Sequence, residues 1–418
     1  MRIVIIGNGI AGNTAALRVR ELNPRAEVII LSEEPFPLYS ACVLTDYLGH
    51  EIDRERVFVK RLADYSKRGI KVLFGQKATA LDIWEREVLL ETENVAYDRL
   101  IIATGSEPIL PPIGGVDNRG IFIFKSITDA DEVSQHDGKR AVVVGSGPIG
   151  IQVAIALKRR GYRVTLIELL DHILPHTFDQ YPASLLQNVL EEQGIKVLTD
   201  ERVVRFLGSG SVEAVVTNKR RIKSDLVVLA VGARPRVSLA QQAGIEIGRL
   251  GGIKIDDHML TSAANIYACG DCAQVKDRIT GEDSLSLLWH NAWQQGERAG
   301  SNAAGIPRVY PGSLDIRVFN IFNTPAVSIG KNLVGLEQDS VEVIERHLKG
   351  GYYRLLVSWG RLAGVQSIGW IRDMGILLNT MQRKDELKGL EGMQSRLVPA
   401  TVGWRCKLIG PLRGPFFP

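Results

Sequence analysis

A strand, a glycine turn, a helix and a second strand follow one another twice in this chain, and that repeated order limits the fold more than any other feature. The first copy reads Arg2 to Ile6, then Gly7 to Gly12, then Asn13 to Leu22, then Glu27 to Leu31. The second sets the strand Ala141 to Val144 before glycines at 145, 147 and 150, a helix to about Arg160, and the strand Arg163 to Ile167. The strand segments are nearly continuous apolar runs, as expected of parallel strands covered on both faces. Each glycine triplet has the spacing GxGxxG. Its first glycine permits a tight turn, its second lets the backbone approach a pyrophosphate, and its third allows the helix to pack closely. The helix N-terminus then faces the anion. The spacing alone is a weak signal, and its position between a strand and a helix makes it specific.

An acidic residue stands at the expected distance in both copies. Glu33 follows Gly12 by twenty-one residues, with Glu34 as an alternative beside it, and either can accept hydrogen bonds from ribose hydroxyls. Glu168 follows Gly150 by eighteen. A carboxylate there pairs with a free 2′-hydroxyl and repels a 2′-phosphate. The next four residues, Leu169, Leu170, Asp171 and His172, supply no Arg or Lys for such a phosphate, so NADH is expected over NADPH. Two dinucleotide sites in one chain serve hydride transfer between cofactors, because the two rings must come into near contact. A flavin and a nicotinamide meet that requirement.

Between the copies, Tyr97 to Gly105 reads as another buried strand, and Pro108, Pro111, Pro112, Gly114 and Gly115 mark a linker. The run Val227 to Val231 ends in Gly232, Ala233, Arg234 and Pro235, and the residues beyond it no longer resemble the second unit. The second unit is therefore read as inserted into the first, whose chain resumes near residue 240. After about Gly312 come short alternating strands such as Val341 to Arg346 and Tyr353 to Val357, with a helix near Asp373 to Arg383. The expected fold is α/β: two Rossmann-like dinucleotide-binding domains, the first interrupted by the second, plus a C-terminal α+β domain. The expected boundaries are 1–112 and 241–312 for the divided domain, 113–240 for the inserted one, and 313–418 for the last.

Three further stretches occur in a telling order: Ile101 to Ser106 with Pro108; Thr261 to Asp271, ending in Ala268, Cys269, Gly270, Asp271; and Leu288, Trp289, His290, Asn291, Ala292. With the two glycine turns, they make the chain resemble the pyridine nucleotide-disulfide oxidoreductase superfamily of flavoproteins over roughly residues 1 to 385. The resemblance implies FAD on the first turn, with Ala103, Thr104 and Gly105 at a crossover and Gly270 and Asp271 at the ribityl chain. It implies NADH on the second turn, with Gly232 at the exit of that unit. It further implies that the helix opening near Trp289 points its positive end at the flavin pyrimidine, and that the C-terminal domain forms a homodimer.

Four cysteines without regular spacing argue against a disulfide framework and for a reducing compartment. There is no CxxxxC pair near residue 40 and no CxxC within the second unit. Cys42 resembles by position the single redox cysteine of NADH oxidases, NADH peroxidases and coenzyme A-disulfide reductases. A helix expected over Val43 to Leu48 would put its thiol near a helix N-terminus, which lowers a cysteine pKa. The other reading of Cys42 is a small apolar residue beneath the flavin. Ile10 stands where the peroxidases carry a histidine, which speaks against their mechanism. Tyr39, Ser40 and Leu44 are shared with rubredoxin, ferredoxin and nitrite reductase flavoproteins, but the lysine and glutamate that several of these pair beside the flavin fall on Asp46 and Gln152 here. Cys269 and Cys272 have CxxC spacing without a second pair, so zinc is not expected, and Cys406 reads as structural. Seven scattered histidines, among them His172, His176, His258 and His290, show no ligand spacing, and no metal is expected.

A net charge of +4 over 418 residues gives no electrostatic footprint for nucleic acid. The basic run Lys219 to Arg221 reads as a solvated turn. The apolar start Ile3 to Ile6 is too short for a signal peptide, and no run approaches eighteen apolar residues, so no membrane partner and a cytoplasmic protein are expected. The expected activity is that of an FAD-dependent NAD(P)H oxidoreductase passing hydride from NADH to FAD and on to a small acceptor: oxygen, a disulfide or polysulfide, through Cys42. The alternative is an electron-transfer reductase that feeds an iron-sulfur partner protein.

Overall fold

The computed structural model describes residues 1–348 and 350–384, so the expectation for Cys406 lies outside the described residues, as does the last domain beyond residue 384. The strand Arg2–Ile6 sits at the centre of a five-stranded parallel sheet. Glu27–Ser32 and then Ile70–Phe74 lie on one side, and Arg99–Ile102 and then Ile266–Ala268 on the other. Ile3, Val4 and Ile5 are fully buried, which is why these runs carry no alternation. The last strand joins from beyond the second unit, with Ile266 opposite Leu100.

A second five-stranded parallel sheet has the order Lys196–Leu198, Arg163–Ile167, Arg140–Val144, Leu226–Leu229, Ile121–Ile123. Beside it lies an antiparallel meander of Val203–Leu207, Ala214–Thr217 and Arg221–Lys223. Lys219 to Arg221 are exposed at its hairpin as expected, although the Arg220 guanidinium also reaches back 2.8 Å to the buried carboxylate of Glu201. The C-terminal sheet is antiparallel, in the order Ile316–Ile321, Thr324–Gly330, Arg361–Ile368, Gly351–Ser358, Val341–Leu348. The helix Met374–Arg383 packs on it through Leu377 and Met381.

Two helices fix where the site can form. Ile10–Leu22 follows the first glycine turn, and Trp289–Ala303 lies alongside it in the same direction. A Cβ on Gly296 would fall 2.2 Å from the Ala11 carbonyl oxygen, and one on Gly300 2.5 Å from that of Ala15. Only glycine allows this approach, and it brings both helix N-termini to the same edge of the first sheet. The first helix begins at Ile10 rather than Asn13, because Gly12 sits inside its first turn.

Candidate active site

The two glycine turns are built alike. Gly7 has φ +109° and Gly145 φ +98°, and a Cβ on them would fall 2.1 Å from Ala103 O and 2.4 Å from Ala230 O respectively. Gly12 and Gly150 press on their own turns, where a Cβ would come within 2.0 Å of Gly7 O and 1.9 Å of Gly145 O. At Gly9 and Gly147, by contrast, no atom lies within 4 Å of a built Cβ. These middle glycines are also the N-caps of Ile10–Leu22 and Pro148–Arg159, and neither helix has a side-chain cap. Uncapped first-turn amides facing open space at a helix N-terminus fit an anion such as a pyrophosphate. Pro148 removes one such amide from the second cradle.

Both cradles open into one cleft of about 2370 Å³. Pockets for single small ligands are roughly 300–1,000 Å³, so this one has room for two dinucleotides. Gly7, Gly9, Glu33, Cys42, Ala103, Thr104, Gly105, Gly270 and Asp271 line it, together with Gly145, Gly147, Glu168 and Gly232 of the second unit. Gly12 and Gly150 stand behind it, as packing glycines should.

Glu168 is held at the end of its strand by the turn beside it. One carboxylate oxygen accepts the Ser146 amide at 2.8 Å and the Ser146 hydroxyl at 2.5 Å, and the other accepts the Leu170 amide at 2.9 Å. Glu33 lies between Lys77 Nζ at 3.1 Å and Arg236 Nη1 at 3.0 Å. Glu34 instead accepts the Tyr39 hydroxyl at 3.0 Å, and burial pushes its carboxyl above the usual range.

The backbone around Cys42 is tightly wound. The residue lies within a 3₁₀ turn, Ala41–Val43, and the helix after it is only Leu44–Leu48. Cys42 thus lies one residue before Val43, the N-cap of that five-residue helix, and so near a helix N-terminus. Its residue surface meets the cleft, but surrounding protein pushes the thiol pKa up, the carboxylates of Asp271 and Asp46 add to this, and the Ser40 hydrogen bond opposes it. Cys269 and Cys272 are free and fully buried, with Cys272 Sγ donating to Cys269 O at 3.3 Å. Neither lines the cleft.

Residues 1–296 match the family described as Pyridine nucleotide-disulphide oxidoreductase. The chain belongs to that family. It is 33% identical over 348 residues to an NADH oxidase of Methanocaldococcus jannaschii, covering 80% of this chain and 75% of that one. It is 31% identical over 393 residues to the assimilatory nitrate reductase electron transfer subunit of Bacillus subtilis, covering 92% of this chain and 50% of the relative, so it spans half the length of that protein. Among solved structures, an NAD-dependent persulfide reductase from A. fulgidus superposes with TM-score 0.87 at 29% identity, covering 92% of this chain and 77% of that one. The protein is thus an FAD-dependent NAD(P)H oxidoreductase, and its α/β architecture is the one expected.

Several groups in and behind this oxidoreductase's cleft escaped the sequence reading. Lys125 Nζ donates to the Ser106 hydroxyl at 2.5 Å, and that hydroxyl donates to Asp271 at 2.6 Å. Gln295, fully buried in the helix Trp289–Ala303, accepts the Gly270 amide at 2.8 Å. Arg202 lines the cleft close to Glu168, since the amide of its neighbour Glu201 donates to Glu168 O at 2.9 Å. The absence of a cation among residues 169–172 therefore does not leave the region without one. Gln152 donates to Asn320 O at 3.2 Å, towards the C-terminal sheet. His258 is less isolated than its sequence setting implied: its ring and the carboxylates of Asp256 and Asp257 come within 4.8 Å of one another on an exposed turn. Asp256 there already accepts the amides of His258 and Leu260.

The contrast between the glycines is testable. Gly12→Ala should destabilise the protein by about 1–3 kcal/mol or more, because its Cβ meets a carbonyl oxygen. Gly9→Ala should change the stability of the flavin-free protein by less than about 0.5 kcal/mol yet abolish flavin retention. Chemical denaturation and visible absorbance measure the two effects, and equal stability losses would contradict the assignment.

Proposed function

We propose that this oxidoreductase takes hydride from NADH held on the second glycine turn and delivers electrons through Cys42 to a small acceptor, a disulfide or polysulfide ahead of oxygen. The observation that carries this reading is the place of Cys42, the one described cysteine on the cleft into which both cradles open. The likeness to a persulfide reductase supports it.

In this reading Gly7, Gly9, Gly12, Glu33, Ala103, Thr104, Gly105, Gly270 and Asp271 hold FAD, while Gly145, Gly147, Gly150, Glu168 and Gly232 hold NADH. When bound, the flavin supplies the means to accept a hydride and pass on its two electrons. The chain's own part is to seat the pyrophosphates on helix-end amides, to accept a ribose hydroxyl at Glu168, and to present a sulfur nucleophile. The Cys42 thiol must first lose its proton, and its surroundings resist that loss. As thiolate it attacks an S–S bond, forming a mixed disulfide and releasing the other sulfur as a thiolate. Glu168 favours NADH, with the neighbouring Arg202 as the cation that a 2′-phosphate would seek.

The likeness to a nitrate reductase electron transfer subunit favours a second reading, in which the acceptor is an iron-sulfur partner protein and Cys42 is only part of the cleft wall. The division at residues 112, 240 and 312 and a cytoplasmic location belong to the same proposal. So does a homodimer formed through the C-terminal domain, where Val318, Val334 and Trp359 expose most of their surface. Among the described residues no helix is long and apolar enough to cross a membrane.

Cys42→Ser should lower NADH-dependent disulfide or polysulfide reduction by about a hundredfold or more, while NADH-dependent dye reduction stays within about twofold. Because the thiol pKa is raised, thiolate-to-flavin charge-transfer absorbance should be weak at neutral pH. It should grow as pH rises past the ordinary thiol value of about 8.5, and be absent from the serine variant. Unchanged sulfur turnover in that variant would remove the thiol route and leave the partner-protein reading. Separately, Glu168→Ala should raise KM for NADH about tenfold and narrow the preference over NADPH, as read by steady-state dye reduction with each nucleotide.

A further inference from the structure

The segment Leu169 to Phe178 follows Glu168 and contains no helix or strand, yet Leu174, Pro175, His176 and Thr177 form part of the cleft wall. An irregular segment must find partners for its backbone polar groups elsewhere. On one side the partner is the second glycine turn, where the Leu174 amide donates to Ser146 O at 3.1 Å. The Ser146 amide in turn is held by Glu168. The two peptide units that flank Ser146, the second of them leading into Gly147, are therefore each fixed by this neighbourhood.

On the other side the partners come from the C-terminal sheet and from the turn that follows its strand Thr324–Gly330. Asn332 donates to Pro175 O at 3.0 Å, and the Ser328 hydroxyl donates to Thr177 O at 2.9 Å. Gln366 makes a two-way pair with Asp179: its Oε1 accepts the Asp179 amide at 2.9 Å, and its Nε2 donates to the carboxylate at 2.8 Å. The same carboxylate accepts the Leu333 amide at 2.9 Å and meets Arg354 at 3.3 Å.

Two details show that this is a clamp rather than incidental packing. Asp179 is the N-cap of the helix Gln180–Glu192 but makes no side-chain cap bond to it. An aspartate at that position ordinarily caps its own helix, and here its oxygens are committed to the C-terminal sheet instead. Leu174 has φ +52° while fully enclosed, a left-handed backbone that a leucine keeps only where its surroundings over-determine it.

We infer that the C-terminal sheet is a working part of the nicotinamide-nucleotide site, with Asp179 and Gln366 as positioning residues that hold the 171–179 segment against the second glycine turn. The inference rests on the proposed placement of NADH on that turn. Neither residue of the pair lines the cleft, and the pair acts through Leu174, Ser146 and Gly147. Gln366 is fully buried and Asp179 nearly so, which means that removing one partner leaves the other unsatisfied and frees the segment to relax.

The test uses the FAD-loaded full chain. Gln366→Met should leave flavin content unchanged and keep kcat for NADH-dependent dye reduction within about twofold, while raising KM for NADH and Kd for NAD⁺ about tenfold. Should Gln366→Met fail to fold, the milder Ser328→Ala with Asn332→Ala tests the same clamp and should move KM in the same direction. Leu355→Ala, in the core of the same sheet, should lower the melting temperature and leave KM alone. Unchanged KM in the clamp variants, or an equal rise in Leu355→Ala, overturns the inference. Gly147→Ala is measured alongside. If it leaves KM unaltered, the placement of NADH fails and takes this inference with it; if it raises KM while the clamp variants do not, only the clamp is wrong.

Discussion

The contact on which the site depends is the backbone approach at the third glycine of each turn. Gly12 lies against the Gly7 carbonyl, and Gly150 against that of Gly145, at distances that leave no room for a methyl group. That approach lets each helix start within the turn itself and aims its free amides at the cleft. The helix dipole alone contributes about 0.3–1 kcal/mol to holding an anion. A hydrogen bond from a backbone amide to a charged group contributes about 1.5–3 kcal/mol. Oriented amides therefore dominate, and their orientation is what the glycine contact secures. The second close packing, of Gly296 and Gly300 on Ala11 and Ala15, adds the N-terminus of Trp289–Ala303 to the same edge.

The electrostatics of the cleft depend on this arrangement. Asp271 is drawn in by the Ser106 hydroxyl, with Lys125 3.7 Å away, and Glu33 sits between two cations, so neither carboxylate is left isolated. Glu168 is immobilised by the very turn whose ligand it would select. At Cys42 burial by surrounding protein raises the thiol pKa most, and the carboxylates of Asp271 and Asp46 add to it against the Ser40 hydrogen bond. If Cys42 is a nucleophile, it is one whose reactivity is governed by pH and by what binds beside it.

Much of this was legible from the residues. The duplicated strand and glycine-turn pattern announced the two parallel sheets, because strands buried on both faces leave long apolar runs. Within each triplet Gly12 and Gly150 are packed and Gly9 and Gly147 open. What was not legible came from contacts remote in sequence. Lys125, Arg202 and Gln295 belong to no motif, and only the sheet order brings them to Asp271, Glu168 and Gly270. The 3₁₀ turn that holds Cys42 is too short for apolar periodicity to resolve. The clamp from Asp179 to Gln366 joins residues 187 apart, a separation at which local pattern is silent.

The central claim is that two dinucleotide cradles in one polypeptide share one cleft, close enough for hydride to pass directly between what they hold. Anaerobic rapid mixing of the flavin-loaded protein with NADH deuterated on one or the other face of C4 tests it most directly. The account predicts that flavin absorbance bleaches within one turnover with no other protein or acceptor present, and that deuterium slows the step on one face only. A bound flavin that stays oxidised in excess NADH would contradict it.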